Sequence, residues 1–484
     1  MTESMKQATK TSDIVVDAMR QKLVKNWREN NDSSTRAIRK IPSTKDCKQV
    51  VEVVNGILKE FNTSNLTELN RLVYTAAKTI EEEIMEERRS DSQSTPPWKR
   101  RLVNKIETLR REVNQLTAAR RDNGRLPQAV YRKYHLHSYN INHAVEHAKQ
   151  RLTALSHRLQ RYEARNEQYK INTLFRKRPQ KVYEQFRRGN QETNKTMPNK
   201  DSTMKFWEEI WNVPVQHKEE AQWLRKIEEE NRTLPTQEII QVTEADIKWK
   251  LASMANWKAP GPDMVQIFWW KKFTTLHAQL ARWMNEILED PQNLPVWLVK
   301  GRTSLIPKET TAQQTPNNFR PITCLPTVWK LFSGIIANKI MLHVKRNKIL
   351  YREQKGAHPG ARGTKDQLAI DRTITEDSKK RRTNLAMAWI DYQKAYDSVP
   401  HSWILRCLRL YKINEKITTM IQYSMQHWKT TLTCEKEELG DIQIRRGIFQ
   451  GDALSPLLFC LTMNPLSHIL RREGKEYTRE WRQG

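Results

Sequence analysis

"NLAMAWIDYQKAYDSVPH", residues 384–401, decides how the rest of the chain is read. Its first half is an apolar run ending on Asp391. Its second half carries Asp397 and passes through Ser-Val-Pro-His into the amphipathic pattern "SWILRCLRLYKI". The run predicts a buried strand that ends at Asp391, and the pattern after Pro400 predicts a helix. A carboxylate at the exposed end of a strand, in a strongly basic chain, is placed to hold a divalent metal against phosphate oxygens. Asp397 has a plainer reading, as a turn former or N-cap before the helix.

The basic character is pronounced. The 484 residues hold 84 Lys and Arg against 55 Asp and Glu, a formal charge of +29. Such an excess points to a polyanionic partner, with nucleic acid favoured over a membrane. The N-terminus "MTESMKQATK" has no apolar core of a leader, and no stretch approaches the length of apolar residues that a membrane span needs. The expectation is a soluble, intracellular protein, in nucleus or cytoplasm; "KKRR" at 379–382 is too short to decide between them. Cys47, Cys324, Cys407, Cys434 and Cys460 stand far apart, without zinc spacing, and read as reduced thiols.

Composition divides the chain. Residues 1–95 hold short amphipathic helical patterns that break at "SDSQSTPP". Residues 96–190 form a basic block: from Lys99 to Asn190 there are 23 Lys and Arg against 7 Asp and Glu. Leu102, Ile106, Leu109, Val113 and Leu116 alternate spacings of 4 and 3, and so do Ile141, Val145, Ala148, Leu152, Leu155, Leu159 and Tyr162 after the break at "DNGRLP". This predicts an antiparallel helical hairpin of coiled-coil type, either a spacer or a surface for phosphates. Phe175, Tyr183 and Phe186 interleave with its basic tail, where they could stack on bases or pack on a neighbouring domain. Residues 191–245 read as a helical connector. From 246 onward, helical stretches such as "HAQLARWMNEILED" alternate with the strand candidates "TSLIPK", "LAMAWID", "TTLTC" and "IQIRRG", an α+β pattern.

Further motifs surround Asp391. "GIFQGDALSPLLF" places Gly447, Gln450 and Gly451 in a loop, with Ser455 and Pro456 opening a helix. Glycines allow close approach to a ligand, and an amide between them can contact a base or sugar. Upstream come "WKAPGPD", "LIPK", "FRPITCL" and "EQKG", loops rich in Lys, Arg, Gly and Pro of the kind expected around a triphosphate. These blocks, in this order, resemble the fingers and palm of reverse transcriptases, most closely those of non-LTR, LINE-type retrotransposons. The resemblance implies a right-hand polymerase fold over 246–484 and RNA-directed DNA polymerase activity, with an RNA template, a DNA primer and dNTPs as partners. It also implies roles. Asp391 would bind two catalytic Mg²⁺ ions, with the carbonyl of Tyr392 as a further ligand. Lys308 and Arg320 would hold the incoming triphosphate, Tyr396 would exclude a 2′-hydroxyl by bulk, and Gln450 and Gly451 would touch the nascent base pair. Met264, Phe449 and Asp452 depart from the family's usual residues at peripheral positions.

The family completes its two-metal site with a Tyr-x-Asp-Asp hairpin after the "SPLLF" helix. The 484 residues contain no Asp-Asp dipeptide. The expectation is therefore a polymerase domain cut off before its second metal-binding strand and thumb, inactive as this chain alone. The alternative is a non-catalytic nucleic-acid-binding coiled-coil protein that retains a remnant of the polymerase fold. The N-terminal third shows no endonuclease constellation.

Overall fold

The computed structural model describes residues 3–29, 36–91, 97–122, 126–136, 140–177, 199–308, 315–356, 360–435 and 437–472. These fall into two units: Met1–Ile84 with Lys195–Gly484, and Met85–Asn194.

The first unit begins with helices α1 (Glu3–Glu29), α2 (Lys45–Ile57) and α3 (Leu66–Asp91), the last of which runs on past the unit boundary. Thr44 caps α2 by accepting a hydrogen bond from the Cys47 N–H, at 3.3 Å. Leu23, Val54, Leu69, Leu72 and Ile80 are buried in one core with residues from the far end of the chain. Polar ties reinforce this: the Gln266 amide donates to the Ile38 carbonyl at 2.7 Å, and the Thr63 hydroxyl donates to the Gln279 side chain at 2.9 Å. The region 1–95, expected as a helical N-terminal region of its own, thus belongs up to Ile84 to the unit that also holds 195–484. Its apolar faces are too extensive to stay solvated and find their cover there.

The second unit holds α4 (Pro97–Asp122), α5 (Gln128–Lys133) and α6 (Ile141–Lys177). Trp98 meets Tyr162 edge-on at 4.7 Å, while Leu116 packs with Val145 and Ala148 at the other end, so α4 and α6 are antiparallel, as the spacing predicts. Glu112, buried in the pair, accepts from the Tyr134 hydroxyl at 2.7 Å and the Lys133 amine at 2.5 Å. Of the interleaved aromatics, Phe175 lies exposed on α6. Tyr183 and Phe186 lie outside the described residues.

The first unit resumes with α7 (Lys200–Trp211), α8 (Gln222–Glu230), α9 (Glu244–Ser253), α10 (Ile267–Lys272) and α11 (His277–Glu289). It continues through β1 (Lys300–Pro307), β2 (Phe319–Cys324), α12 (Thr327–Arg346) and α13 (Thr364–Arg381). Then come α14 (His401–Leu410), α15 (Glu415–Gln426), β3 (Lys429–Cys434), β4 (Glu437–Gln443) and α16 (Ser455–Arg472). The sheet order is β2-β1-β3-β4, with β1 and β3 parallel and the two outer pairs antiparallel. Buried threonines lace it together: the Thr303 hydroxyl lies 2.8 Å from that of Thr323 and 2.7 Å from that of Thr430.

The α+β expectation holds, with two corrections among the strands. "IQIRRG" enters β4 only at its first residues, and Arg445 and Arg446 belong to the following loop. "LAMAWID" forms no strand: residues 384–391 are irregular, with Trp389 78% and Ile390 73% exposed. A strand exists only by pairing, and the sheet β2-β1-β3-β4 does not include this stretch.

Candidate functional site

The turn after Asp391 is fixed firmly. Lys394 adopts a left-handed backbone (φ 52°), and residues Tyr396–Ser398 form one turn of 3₁₀ helix. The loop 447–451 is laid directly on that turn: the Gly447 N–H donates to the Val399 carbonyl and the Ile448 N–H to the Tyr396 carbonyl, both at 2.8 Å. On its other side the Gln450 carbonyl accepts from the Thr323 N–H of β2, also at 2.8 Å. Two glycines make this sandwich possible. A Cβ on Gly447 (φ 90°) would stand 2.7 Å from the Asp397 carbonyl oxygen, and one on Gly451 (φ 135°) only 2.3 Å from the Thr323 oxygen. Both positions need positive φ and a missing side chain.

Asp397 sits where this loop and turn meet, only 2% exposed. Its carboxylate accepts from the Trp211 indole N–H at 3.1 Å and from the Gln450 amide at 3.3 Å. Burial pushes the carboxyl up to about 6, against the opposing pull of these donors and of Lys394 and Lys308. The amide of Gln450 is thereby oriented. Trp211 reinforces the loop in a second way, since its carbonyl accepts the N–H groups of Arg445 and Arg446 at 2.7 and 3.1 Å. Lys394 lies with its amine 4.2 Å from the Trp207 ring centre and 3.4 Å from the Asn317 carbonyl. Burial and the nearby charge of Lys308 lower it to about 8, with Asp397 opposing.

From the sequence Asp397 has only a turn role, and Trp211 and Lys394 have none. Trp211 ends "FWEEIW", a helical signal that says nothing of a hydrogen bond to a residue 186 positions away. Asp452, read as a peripheral departure, is in fact a buried anchor. It accepts from the Ser333 hydroxyl at 2.6 Å and the Trp329 indole at 3.2 Å, so it ties the loop to α12.

The predicted residues are brought together unequally. Gln450, Gly451 and Tyr396 meet in the loop and turn just described, with the Tyr396 ring 5.0 Å from that of Phe459. Lys308 and Arg320 stand exposed on the β1–β2 hairpin: the Lys308 N–H pairs with the Asn318 carbonyl, and Arg320 is in register with Ile306. Asp391 and Tyr392 are exposed on the irregular stretch. Among the described residues no group of three or more His, Cys, Asp or Glu side chains could hold a metal ion. The other aspartate of the motif, Asp397, has both oxygens engaged. The residues at hand therefore do not fit a two-ion site, which needs shared carboxylates a few Å apart. Nor is any helix among them long and apolar enough to cross a membrane.

The site thus consists of an irregular stretch bearing Asp391, a two-stranded hairpin bearing Lys308 and Arg320, and a glycine-hinged loop folded onto the sheet. Residues 306–478 match the family model described as reverse transcriptase (RNA-dependent DNA polymerase). Curated relatives agree. The chain is 26% identical over 277 residues to the retrovirus-related Pol polyprotein from the type-2 retrotransposable element R2DM of Drosophila melanogaster, covering 57% of this chain and 25% of the relative. It is 34% identical over 167 residues to the Pol polyprotein from the type-1 retrotransposable element R2 of Popillia japonica, covering 34% and 22%. It is 24% identical over 234 residues to the transposon TX1 149 kDa protein of Xenopus laevis, covering 48% and 17%. The matches thus span a quarter or less of the length of these relatives. Residues 306–478 thus resemble a reverse transcriptase domain, and the relatives are of the non-LTR retrotransposon kind; reverse transcriptases generally work with divalent metal ions.

Proposed function

We propose that this domain is the fingers and part of the palm of an RNA-directed DNA polymerase, which adds dNTPs to a DNA primer on an RNA template. The observation that carries the reading is the loop 447–451 clamped between β2 and the Tyr396–Ser398 turn, with the Gln450 amide oriented by Asp397. On this reading Gln450 and Gly451 face the nascent base pair. Tyr396 discriminates against the 2′-hydroxyl, and Lys308 and Arg320 hold the triphosphate. Asp391 and the Tyr392 carbonyl would be the ligands that this stretch offers to Mg²⁺, a single carboxylate being too few for two ions.

The test is equilibrium displacement of a fluorescent dNTP by unlabelled dNTP, on the chain loaded with an RNA template and DNA primer. Saturable binding, weakened about tenfold in Arg320→Ala and less in Lys308→Ala, is expected from loss of charge-assisted phosphate contacts. Binding that does not saturate, or that ignores both substitutions, contradicts the proposal. The exposed, solitary Asp391 carboxylate favours a second reading, a domain that binds nucleic acid and nucleotide without catalysing transfer. Primer extension by these 484 residues, lost in Asp391→Ala, would exclude it.

A further inference from the structure

The helical pair of the second unit carries a feature that the polymerase reading does not use. At about 100° per residue, Arg151, Arg158, Arg161, Arg165, Tyr169 and Arg176 of α6 fall within a sector of about 80°. All six side chains are exposed, and Tyr169 is 70% exposed. The apolar seam toward α4, through Val145, Ala148, Leu152 and Leu159, lies to one side of this sector. The three acidic residues of α6, Glu146, Glu163 and Glu167, point away from it by the same helical arithmetic. Among the described residues none of the five arginines has an ion-pair partner, whereas the pair's own ion pairs, Lys99 with Glu163 and Lys133 with Glu112, lie elsewhere.

A solvated structural face of a helix normally mixes signs at spacings of three and four, because such pairs stabilise it and like charges oppose it. Arg158 with Arg161, and Arg161 with Arg165, are like-charged at those spacings and unrelieved. A face that accepts such repulsion is complementary to an extended polyanion. Guanidinium groups suit phosphate geometry, and an exposed tyrosine in line with them offers a stacking surface to a base that is not already paired.

We infer that the Arg151–Arg176 face of α6 is a binding surface for single-stranded nucleic acid, separate from the nucleotide site of the first unit. The arginines take successive phosphates, and Tyr169 takes an unstacked base.

The experiment is fluorescence anisotropy of the full chain with a labelled single-stranded RNA that carries no primer, titrated at several salt concentrations. Arg158→Glu/Arg161→Glu/Arg165→Glu together should weaken binding more than tenfold and reduce the log-log salt slope by about 2, since each phosphate contact contributes about 0.7 on a single strand. Tyr169→Ala should weaken single-stranded RNA severalfold while leaving a fully paired RNA duplex unchanged. Helix content by circular dichroism checks that the variants fold. A matched reversal on exposed cations of the first unit, Lys48→Glu/Lys59→Glu/Arg232→Glu, serves as control and should lose much less. The inference is overturned if the triple variant binds and responds to salt like the parent, or if the control loses as much. It is overturned equally if a fully paired duplex is bound as tightly as the single strand. None of these outcomes bears on dNTP binding in the first unit, so the two proposals fail separately.

Discussion

The two halves of the 384–401 stretch and its partner loop were equally prominent as sequence, yet they are held in opposite ways. The loop 447–451 and the turn at Tyr396–Ser398 are locked by backbone hydrogen bonds on both sides, two obligatory glycines and a buried carboxylate. The stretch 384–392, which bears Asp391, is mostly exposed and belongs to no described strand; Leu385 and Met387 are half-buried, and the Met387 sulfur accepts from the Thr375 hydroxyl at 3.9 Å. The difference teaches that the wall proposed to face the nucleotide is built by this part of the fold itself. The stretch proposed to face the metal offers one exposed carboxylate and no regular structure.

The largest expected effect comes from filling the tightest gap. Gly451→Ala puts a methyl 2.3 Å from the Thr323 oxygen at a φ of 135°, and should destabilise the first unit by about 3 kcal/mol. A thermal melt shifted only as far as for a surface variant would show that the loop is not clamped.

The next effect is one of pH. With its folded-state carboxyl raised to about 6, Asp397 binds a proton more readily in the folded than in the unfolded chain. Its contribution is therefore fully present below the ordinary value near 4 and is lost as pH rises through about 6, an amount of about 2 to 3 kcal/mol. Asp397→Asn should flatten that part of the stability-against-pH curve. An unchanged curve would mean that the carboxyl is not buried as described. Trp211→Phe removes one donor to this carboxylate and should cost about 1 to 2 kcal/mol by denaturant unfolding. No measurable cost would break the link between α7 and the loop. At the other end of the scale, Asp391→Ala should change stability by less than about 0.5 kcal/mol, because its side chain is exposed. A larger loss would mean that the stretch is not free.

Much of this was legible in the sequence, and the limits have physical causes. The helices and the strands β1 and β3 follow from local periodicity and turn residues, and Gly447 and Gly451 announce a loop that must approach something closely. Asp397 was misjudged because its short-range context, just before Pro400 and a helix, satisfies a turn reading, whereas its donors come from 186 and 53 residues away. The failed strand at 384–391 shows the same limit from the other side. Apolar content gives the tendency to form a strand, but the partner that satisfies its backbone is a tertiary matter. The joining of residues 1–84 to 195–484 was likewise hidden, since an amphipathic pattern says that a face is covered without saying by what.

The central claim, that the clamped wall is a deoxynucleotide site, is tested most directly by measuring dNTP and rNTP affinity on the primer–template complex for the parent chain and for Tyr396→Ala. The account predicts that the parent binds the dNTP more tightly and that the variant brings the two within about twofold of one another, because the ring packed on Phe459 is proposed as the bulk that meets a 2′-hydroxyl. Equal affinities in the parent, or a preference that survives removal of the ring, would contradict it.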